Sequence, residues 1–347
     1  MGGTTFNSIK PVLASTMKGS GVKQVRGFKS LEEQKFDSIS MGTRPSGTLH
    51  LGNLFVLASC MHYLRINSKA QVHVDIMDLD FDTQRGALFT PFVNLPATRD
   101  FIKQLEAAVD ILSHELKVDP GGVKIRYFSD RLKGADSELR NMLLRLAKGR
   151  ESVKALKYSI LDMPHRYDTP PLSMICDGCH QSNSNFVRYH SKSGLFTAKC
   201  DNWTCTTGEY SSDLSTDFFN VHYLVDPVRD LLLPPPVLHV YGGDYGLSNG
   251  QSDTVRFMRV AAVMEAARIC LGLETEAPSF FIAPLITDHH GKKISKTESN
   301  GTPLIGGLAD HLKKEIEHVL RLIGLCIDGT LEGFNLVCSP DGEPCEE

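Results

Sequence analysis

The chain lacks any apolar run of the roughly 20 residues that a membrane-spanning helix needs. It lacks the apolar segment of a secretory signal near its start. Met1-Gly2 is followed by Phe6 where an N-myristoylation motif requires Ser or Thr. The expectation is a cytoplasmic protein with no membrane partner. An excess of basic charge is also missing. The formal net charge is -4, which argues against a broad surface for gripping nucleic acid and leaves only a local patch open. Internal repeats are absent. Residues 1–33, rich in Gly, Ser, Thr and Lys, carry Lys10, Lys18, Lys23, Arg26 and Lys29 and read as a flexible N-terminal segment.

Cysteine is present in an odd number, nine. Four are clustered, at Cys176, Cys179, Cys200 and Cys205. Without an export signal, such a cluster points to metal binding in a reducing setting rather than to disulfides. Cys176-Asp177-Gly178-Cys179 puts two thiolates on one tight turn, and Cys200 and Cys205 supply a second pair. Four thiolates at this spacing can form a closed tetrahedral Zn2+ site, structural rather than catalytic; reduced cysteines without metal, or His180 or His190 in place of one thiolate, are the other readings. Cys176-Asp177-Gly178-Cys179-His180 also matches haem attachment, but that reading needs export and leaves the second pair unexplained.

The order of elements suggests an α/β protein. Ser38-Ile39-Ser40-Met41 reads as a strand entering a turn at Gly42, Leu54 to Leu64 as a helix, and Gln71 to Met77 as the next strand. Strand, glycine turn, helix and strand make the unit of a parallel, Rossmann-like sheet. Residues 98–117 and 136–161 have amphipathic helical spacing. Residues 164–216 turn rich in Cys, Ser, Asn, Asp and Thr and read as an inserted zinc-knuckle module. Val237 to Tyr241 then reads as a strand, Thr254 to Leu271 as a helix and Phe280 to Ile286 as a further strand. The expected division is therefore a catalytic domain in two halves, 34–163 and 217–305, around the insert 164–216, with a short helical segment at 306–347.

Two segments carry chemistry. Pro45-Ser46-Gly47-Thr48-Leu49-His50-Leu51-Gly52-Asn53 links a strand to a helix, where backbone N–H groups and the positive helix end favour an anion. Gly47 and Gly52 allow close approach of phosphate or adenine. His50 and Asn53 can donate to phosphate oxygens without permanent charge. Much later, Lys292-Lys293-Ile294-Ser295-Lys296-Thr297 gathers cations and hydroxyls between Gly291 and Gly301. Such a loop suits a lid that stabilises charge on departing pyrophosphate.

The pair resembles the HIGH and KMSKS motifs of class I aminoacyl-tRNA synthetases. Thr48-Leu49-His50-Leu51-Gly52-Asn53 is similar to the first, with Asn in the last place, and Lys293-Ile294-Ser295-Lys296-Thr297 to the second. Between them, Tyr241-Gly242-Gly243-Asp244 resembles the family's Gly-x-Asp element for the ATP ribose. Within the class the chain is most similar to the class I lysyl-tRNA synthetases. That similarity rests on Pro45-Ser46-Gly47, Asp78-Leu79-Asp80-Phe81-Asp82, the four cysteines and Leu224-Val225-Asp226-Pro227, and it covers roughly residues 38–305. The resemblance implies the class I synthetase core, ATP with Mg2+, and formation of an aminoacyl-adenylate. It assigns ATP binding to Ser46, Gly47, His50, Gly52, Asn53, Gly242, Asp244, Lys293, Ser295 and Lys296. His50, Asn53, Lys293 and Lys296 would be the catalytic groups.

Asp80, Asp82 and Asp226 match family segments that hold the amino acid, whose ammonium requires an anionic partner. His73 and His239 read as structural. Only about 50 residues follow the lysine loop, so the family's anticodon-reading domain is expected to be absent. The acceptor is then a tRNA 3′ end, or a carrier protein or small molecule in a ligase paralogue. A nucleotidyltransferase or pantothenate-synthetase-like ligase shares a similar first motif. A synthetase-like protein that binds nucleotide or RNA without turnover is the non-enzymatic alternative.

Overall fold

Two segments, Ser38–Thr43 and Gln71–Ile76, alternate apolar and polar residues with period two, and a third, Val237–Tyr241, is apolar and aromatic around a single His239. Each forms a strand in the computed structural model. The structure describes residues 23–25, 27–45, 49–78, 81–82, 90–91, 96–131, 137–161, 173–179, 182–183, 188–190, 192–200, 202–212, 219–220, 229–242, 264–273, 279–283, 285–288, 308–328 and 335–338. In chain order, β1 is Lys23–Val25, α1 Gly27–Glu32, β2 Ser38–Thr43, α2 Leu51–Ile66 and β3 Gln71–Ile76. The hairpin β4 (Phe81–Asp82) and β5 (Thr90–Pro91), α3 (Pro96–Leu116), β6 (Val123–Tyr127), α4 (Phe128–Arg131), α5 (Glu138–Lys148) and α6 (Arg150–Leu161) follow.

Six short strands come next: β7 (Ser173–Ile175), β8 (Ser182–Asn183), β9 (Arg188–His190), β10 (Leu195–Lys199), β11 (Glu209–Ser212) and β12 (Phe219–Asn220). They form two three-stranded antiparallel sheets, β11-β10-β9 and β12-β7-β8. The chain continues through β13 (Val237–Tyr241), β14 (Ser279–Ile282), β15 (Leu285–Asp288), α7 (Leu308–Ile327) and β16 (Asn335–Cys338).

The main sheet is parallel throughout, in the order β1-β14-β13-β2-β3-β6. From β2 the chain moves to β3 and β6 on one side. From β13 it moves to β14 on the other. The order therefore reverses between β2 and β13, and ligands of open α/β sheets bind beyond the carboxyl ends of the strands at such a point.

The two faces of this sheet differ. Ile39, Met41, Val72, Val74, Leu238 and Val240 join one large core with residues of α1, α2, α3 and α7. α2 is apolar around its circumference, from Leu54 through Leu64, because it lies between the sheet and α3 and α7. Tyr63 ties its end to the approach of β2: its Oη accepts from Phe36 N (2.7 Å) and donates to Gln34 O (2.8 Å). The opposite face carries Ser38, Ser40, His73, Asp75, His239 and Tyr241, all buried. A second core on that side combines α5, α6, the β7–β11 region and residues 264–271.

Several sequence expectations need correction. Residues 23–25 and 27–32, assigned to the flexible segment, form β1 and α1, and Val25, Phe28 and Leu31 are buried. Phe28 and Leu31 stand three apart on one face of a turn of helix, a signal outweighed by the surrounding Lys and Gly. Gly42 lies within β2 rather than in a turn. The helix at 136–161 is interrupted, with Gly149 capping α5 before α6 begins. The strand at 280–286 is two, β14 and β15, and β15 pairs with β16 in a separate sheet. The 306–347 segment thus contributes a strand as well as the helix α7. Of the helix expected over 254–271, the described part, 264–271, is helical.

His73 is buried, and neither ring nitrogen has a hydrogen-bond partner among the described residues. Burial, with Arg126 nearby, pushes its pKa from 6.5 down to about 4. The unfolded chain then takes up a proton that the folded chain refuses. The stabilisation is complete above pH 6.5 and is lost as the pH falls towards about 4. His62, lowered chiefly by burial, acts in the same sense. The melting temperature of His73→Leu should therefore fall less steeply over this pH range than that of the wild type, as measured by circular dichroism melts.

Candidate functional site

The carboxyl edge at the reversal of the sheet is bounded by the end of β2 and the start of α2 on one side, and by Tyr241 and Gly242 on the other. His50 is the N-cap of α2. Its Nδ1 accepts from Gly52 N (3.1 Å) and, at longer range, from Asn53 N (3.4 Å). The first-turn N–H groups expected to receive an anion are thus partly satisfied by the histidine itself. With Nδ1 accepting, the neutral ring carries its proton on Nε2. A Cβ on Gly52 would stand 3.0 Å from His50 Cε1 and 3.1 Å from Nδ1, so the glycine leaves room for the ring. Asn53 Nδ2 donates to Thr43 Oγ1 at the end of β2 (3.2 Å), and its buried Oδ1 has no partner among the described residues. Gln104 of α3 holds Leu49 N (3.0 Å), fixing the approach to α2.

Beneath this edge, on the polar face of the sheet, lies an ionic network. Asp75, wholly buried, receives Arg126 through Nε (2.9 Å) and Nη2 (2.7 Å), Arg131 through Nη1 (3.1 Å) and Arg229 through Nε (3.3 Å). Arg229 and Asp230 have no exposed surface. Arg229 Nε also reaches Asp230 Oδ1 (3.2 Å), and Nη2 approaches a His239 ring nitrogen (3.2 Å). Asp230 is further bonded by Ser40 Oγ (2.6 Å) and by His239 Nδ1. Burial alone would raise the Asp230 pKa, but His239, Arg229 and the Ser40 bond outweigh it and hold it far below the usual carboxylate range. Gly42 completes the arrangement, since a Cβ there would overlap Arg229 Nη1.

Asp78, near this network, has a different task. It accepts from Ser129 N (2.9 Å) and Ser129 Oγ at the start of α4, and burial raises its pKa. It is a cap, as acids at strand–helix junctions often are.

The four cysteines come together in the second core. Their sulfur atoms all lie within 4.8 Å of one another, with Cys179–Cys200 at 3.5 Å and Cys176–Cys205 at 3.7 Å. Ligands about 2.3 Å from a tetrahedral Zn2+ stand about 3.8 Å apart, so the cluster has the size of such a site. Cys176 is buried and the others are half-buried. Thr207 lies 3.3 Å from Cys205 Sγ, and its hydroxyl and N–H pull that thiol down to about 6. A Cβ on Gly178 would overlap Thr207 Oγ1, which accounts for glycine in that turn.

No protein-family model matches the sequence, and no curated protein does. Among solved structures, the chain is similar to the tryptophanyl-tRNA synthetase of Campylobacter jejuni, with 17% identity and a TM-score of 0.38 over 81% of this chain and 65% of that one. The chain therefore spans 65% of the length of that structure.

Of the residues singled out from sequence, His50, Gly52 and Asn53 meet at one end of α2, and Gly242 follows β13 across the reversal. Ser46, Gly47, Asp80, Asp226, Asp244, Lys293, Ser295 and Lys296 lie outside the described residues, and Asp82 is described only as backbone in β4. Sequence reasoning missed Arg126, Arg131, Arg229 and Asp230, and took His239 for a structural histidine without its partners. One signal was available: a parallel sheet buried on both faces normally reads as continuous apolar residues, whereas His73, Asp75 and His239 interrupt β3 and β13.

Removing one charge from a buried network costs about 3–5 kcal/mol when its partners cannot reach water. Asp75→Asn should therefore destabilise the chain by about that amount, Arg229 having no route to solvent. Asp78→Asn, which retains a capping side chain, should cost about 1 kcal/mol or less. Urea unfolding followed by fluorescence compares the two.

Proposed function

We propose that the chain activates an amino acid with ATP, forming an aminoacyl-adenylate and passing the acyl group to an acceptor. What carries this reading is the position of His50 and Asn53 of the HIGH-like segment: both stand at the start of α2, Asn53 is bonded to Thr43 at the end of β2, and the sheet order reverses between β2 and β13, the strand that precedes Gly242. In the reaction, a carboxylate oxygen of the amino acid attacks the α-phosphorus of ATP in line. The bond to the bridging oxygen breaks, and its electrons leave with pyrophosphate. No protein nucleophile is needed, so catalysis consists of positioning and charge stabilisation.

His50 would donate from Nε2 to phosphate oxygens, Asn53 from its amide, Gly52 would admit the nucleotide, and Ser46 and Gly47 would form the turn beneath it. Lys293, Ser295 and Lys296 would close over the departing pyrophosphate, and Asp244 would hold the ribose hydroxyls. Mg2+, when bound with the nucleotide, neutralises phosphate charge. Lysine is the amino acid to which the resemblance points, with Asp80, Asp82 and Asp226 as its anionic partners. The described carboxylates at the edge are already engaged: Asp75 by three arginines, Asp230 by Arg229 and His239, Asp78 by Ser129.

Exchange of pyrophosphate into ATP should be stimulated by one amino acid of the standard set. Absence of exchange with every amino acid, with and without tRNA, would defeat the reading. Lys296→Ala should lower exchange by roughly 100-fold or more, the scale set by removing one preorganised stabilising donor, while melting unchanged.

The cysteine cluster supports a second, structural assignment: Cys176, Cys179, Cys200 and Cys205 hold Zn2+. Four ligands close the coordination shell, and bound metal would stabilise a module of short strands. Elemental analysis should find about one zinc per chain, and Cys205→Ser should lower both zinc content and melting temperature. Zinc-free protein with wild-type stability would rule this out.

A further inference from the structure

We infer that Arg229 is a positioning residue for the amino-acid substrate rather than for ATP. The inference rests on the activation reading above and adds a wall of the site that the motifs do not contain. The two walls of the edge belong to opposite faces of the sheet. His50, Gly52 and Asn53 stand at the start of α2, which packs on the apolar face, and Asn53 is tied to Thr43, the outermost residue of β2. Arg229 lies on the other face, against Gly42, Asp75 and His239. A nucleotide held by the α2 end leaves that second wall to the other reactant.

The groups on this wall are engaged with one another, so Arg229 acts by setting positions. It reaches three adjacent strands: Gly42 of β2, Asp75 of β3 and His239 of β13. Its Nη1 also stands 3.7 Å from Met77 Sδ, just past the end of β3. No smaller cation spans these partners, and the guanidinium does so only because position 42 has no side chain. Arg229 and Asp230 are adjacent in the chain, in a helical turn that runs to Leu231. Leu231 and Leu232, directly after them, pack into the second core with Met77 and the cysteines. A loosened Arg229 would therefore let the amino-acid wall shift while the α2 end, held by its own bonds to Thr43 and Gln104, stayed in place.

Misplacing a reactant by about 1 Å can cost on the order of 100-fold in rate. The test is pyrophosphate exchange with each of the twenty standard amino acids, first on the wild type, then on Arg229→Ala, Arg229→Lys, Gly42→Ala and the double variant Gly42→Ala/Arg229→Ala. The KM for the stimulating amino acid should rise by about 10- to 100-fold in Arg229→Ala and Gly42→Ala, with the KM for ATP within about threefold of wild type. Arg229→Lys should fall between. The double variant should be no worse than Arg229→Ala, because the clash at position 42 needs the guanidinium.

Three outcomes would overturn the inference: an unchanged amino-acid KM, amino-acid and ATP KM values rising together, or multiplicative effects in the double variant. If Arg229→Ala does not fold, Arg229→Lys and Gly42→Ala carry the comparison alone, with circular dichroism confirming their fold. A wild type that exchanges with no amino acid sinks the activation reading itself, and this inference with it.

Discussion

One guanidinium holds the edge of the sheet together. Arg229 is wholly buried, and the side chains around it make sense only in its presence. Asp75 and Asp230 are carboxylates without exposure, which would be untenable in a protein interior without cations beside them. Ser40 and His239 occupy strand positions that a doubly covered parallel sheet would ordinarily fill with Val, Ile or Leu. Gly42 has no side chain where one would collide with Nη1. Three strands, one helical turn and both sides of the chain reversal meet at this residue.

Such a layer is expensive. Taking charges out of water costs several kcal/mol per ion, and their mutual attraction repays this only with good geometry. Apolar residues of similar volume would stabilise as well or better. Retention of charge therefore argues for a role in arrangement over one in stability. Arg126 and Arg131 retain some exposure at the rim, with side chains 21% and 17% accessible, whereas Arg229 has none. The network thus has a fixed centre and a border that reaches solvent.

Part of the fold and of the candidate site was legible in the sequence, for definable reasons. The α2 motif could be read because His50, Gly52 and Asn53 are neighbours in the chain as well as in space. The cysteine cluster could be read because its members come as two pairs, each close in the chain, at a spacing that suits metal ligands. The ionic layer escaped because its members are scattered from Ser40 to His239, and only strand register brings them together: Ser40 faces His73 on one side and His239 on the other. Gly42 was taken for a turn because glycine usually marks one, yet its reason lies nearly 190 residues away, in Arg229. Residues 23–25 and 27–32 were misread because composition was weighed above the pairing of Phe28 with Phe281 (ring centroids 5.2 Å apart). The break between β14 and β15 was missed although Pro284 stood in the sequence as a sign that a central strand could not continue.

The contrast between the two faces of the sheet has a thermal consequence. On the side of α2, α3 and α7 the contacts are apolar, and the water-driven part of their strength fades on cooling. On the other side the layer lying against the sheet is ionic, with an apolar core beyond it, and the desolvation cost of ions declines on warming. The apolar packing and the ionic layer therefore respond to temperature in opposite directions. Near the freezing point the helical backing of the sheet is the weaker partner, and near the upper limit of stability the ionic layer is the last to lose its advantage.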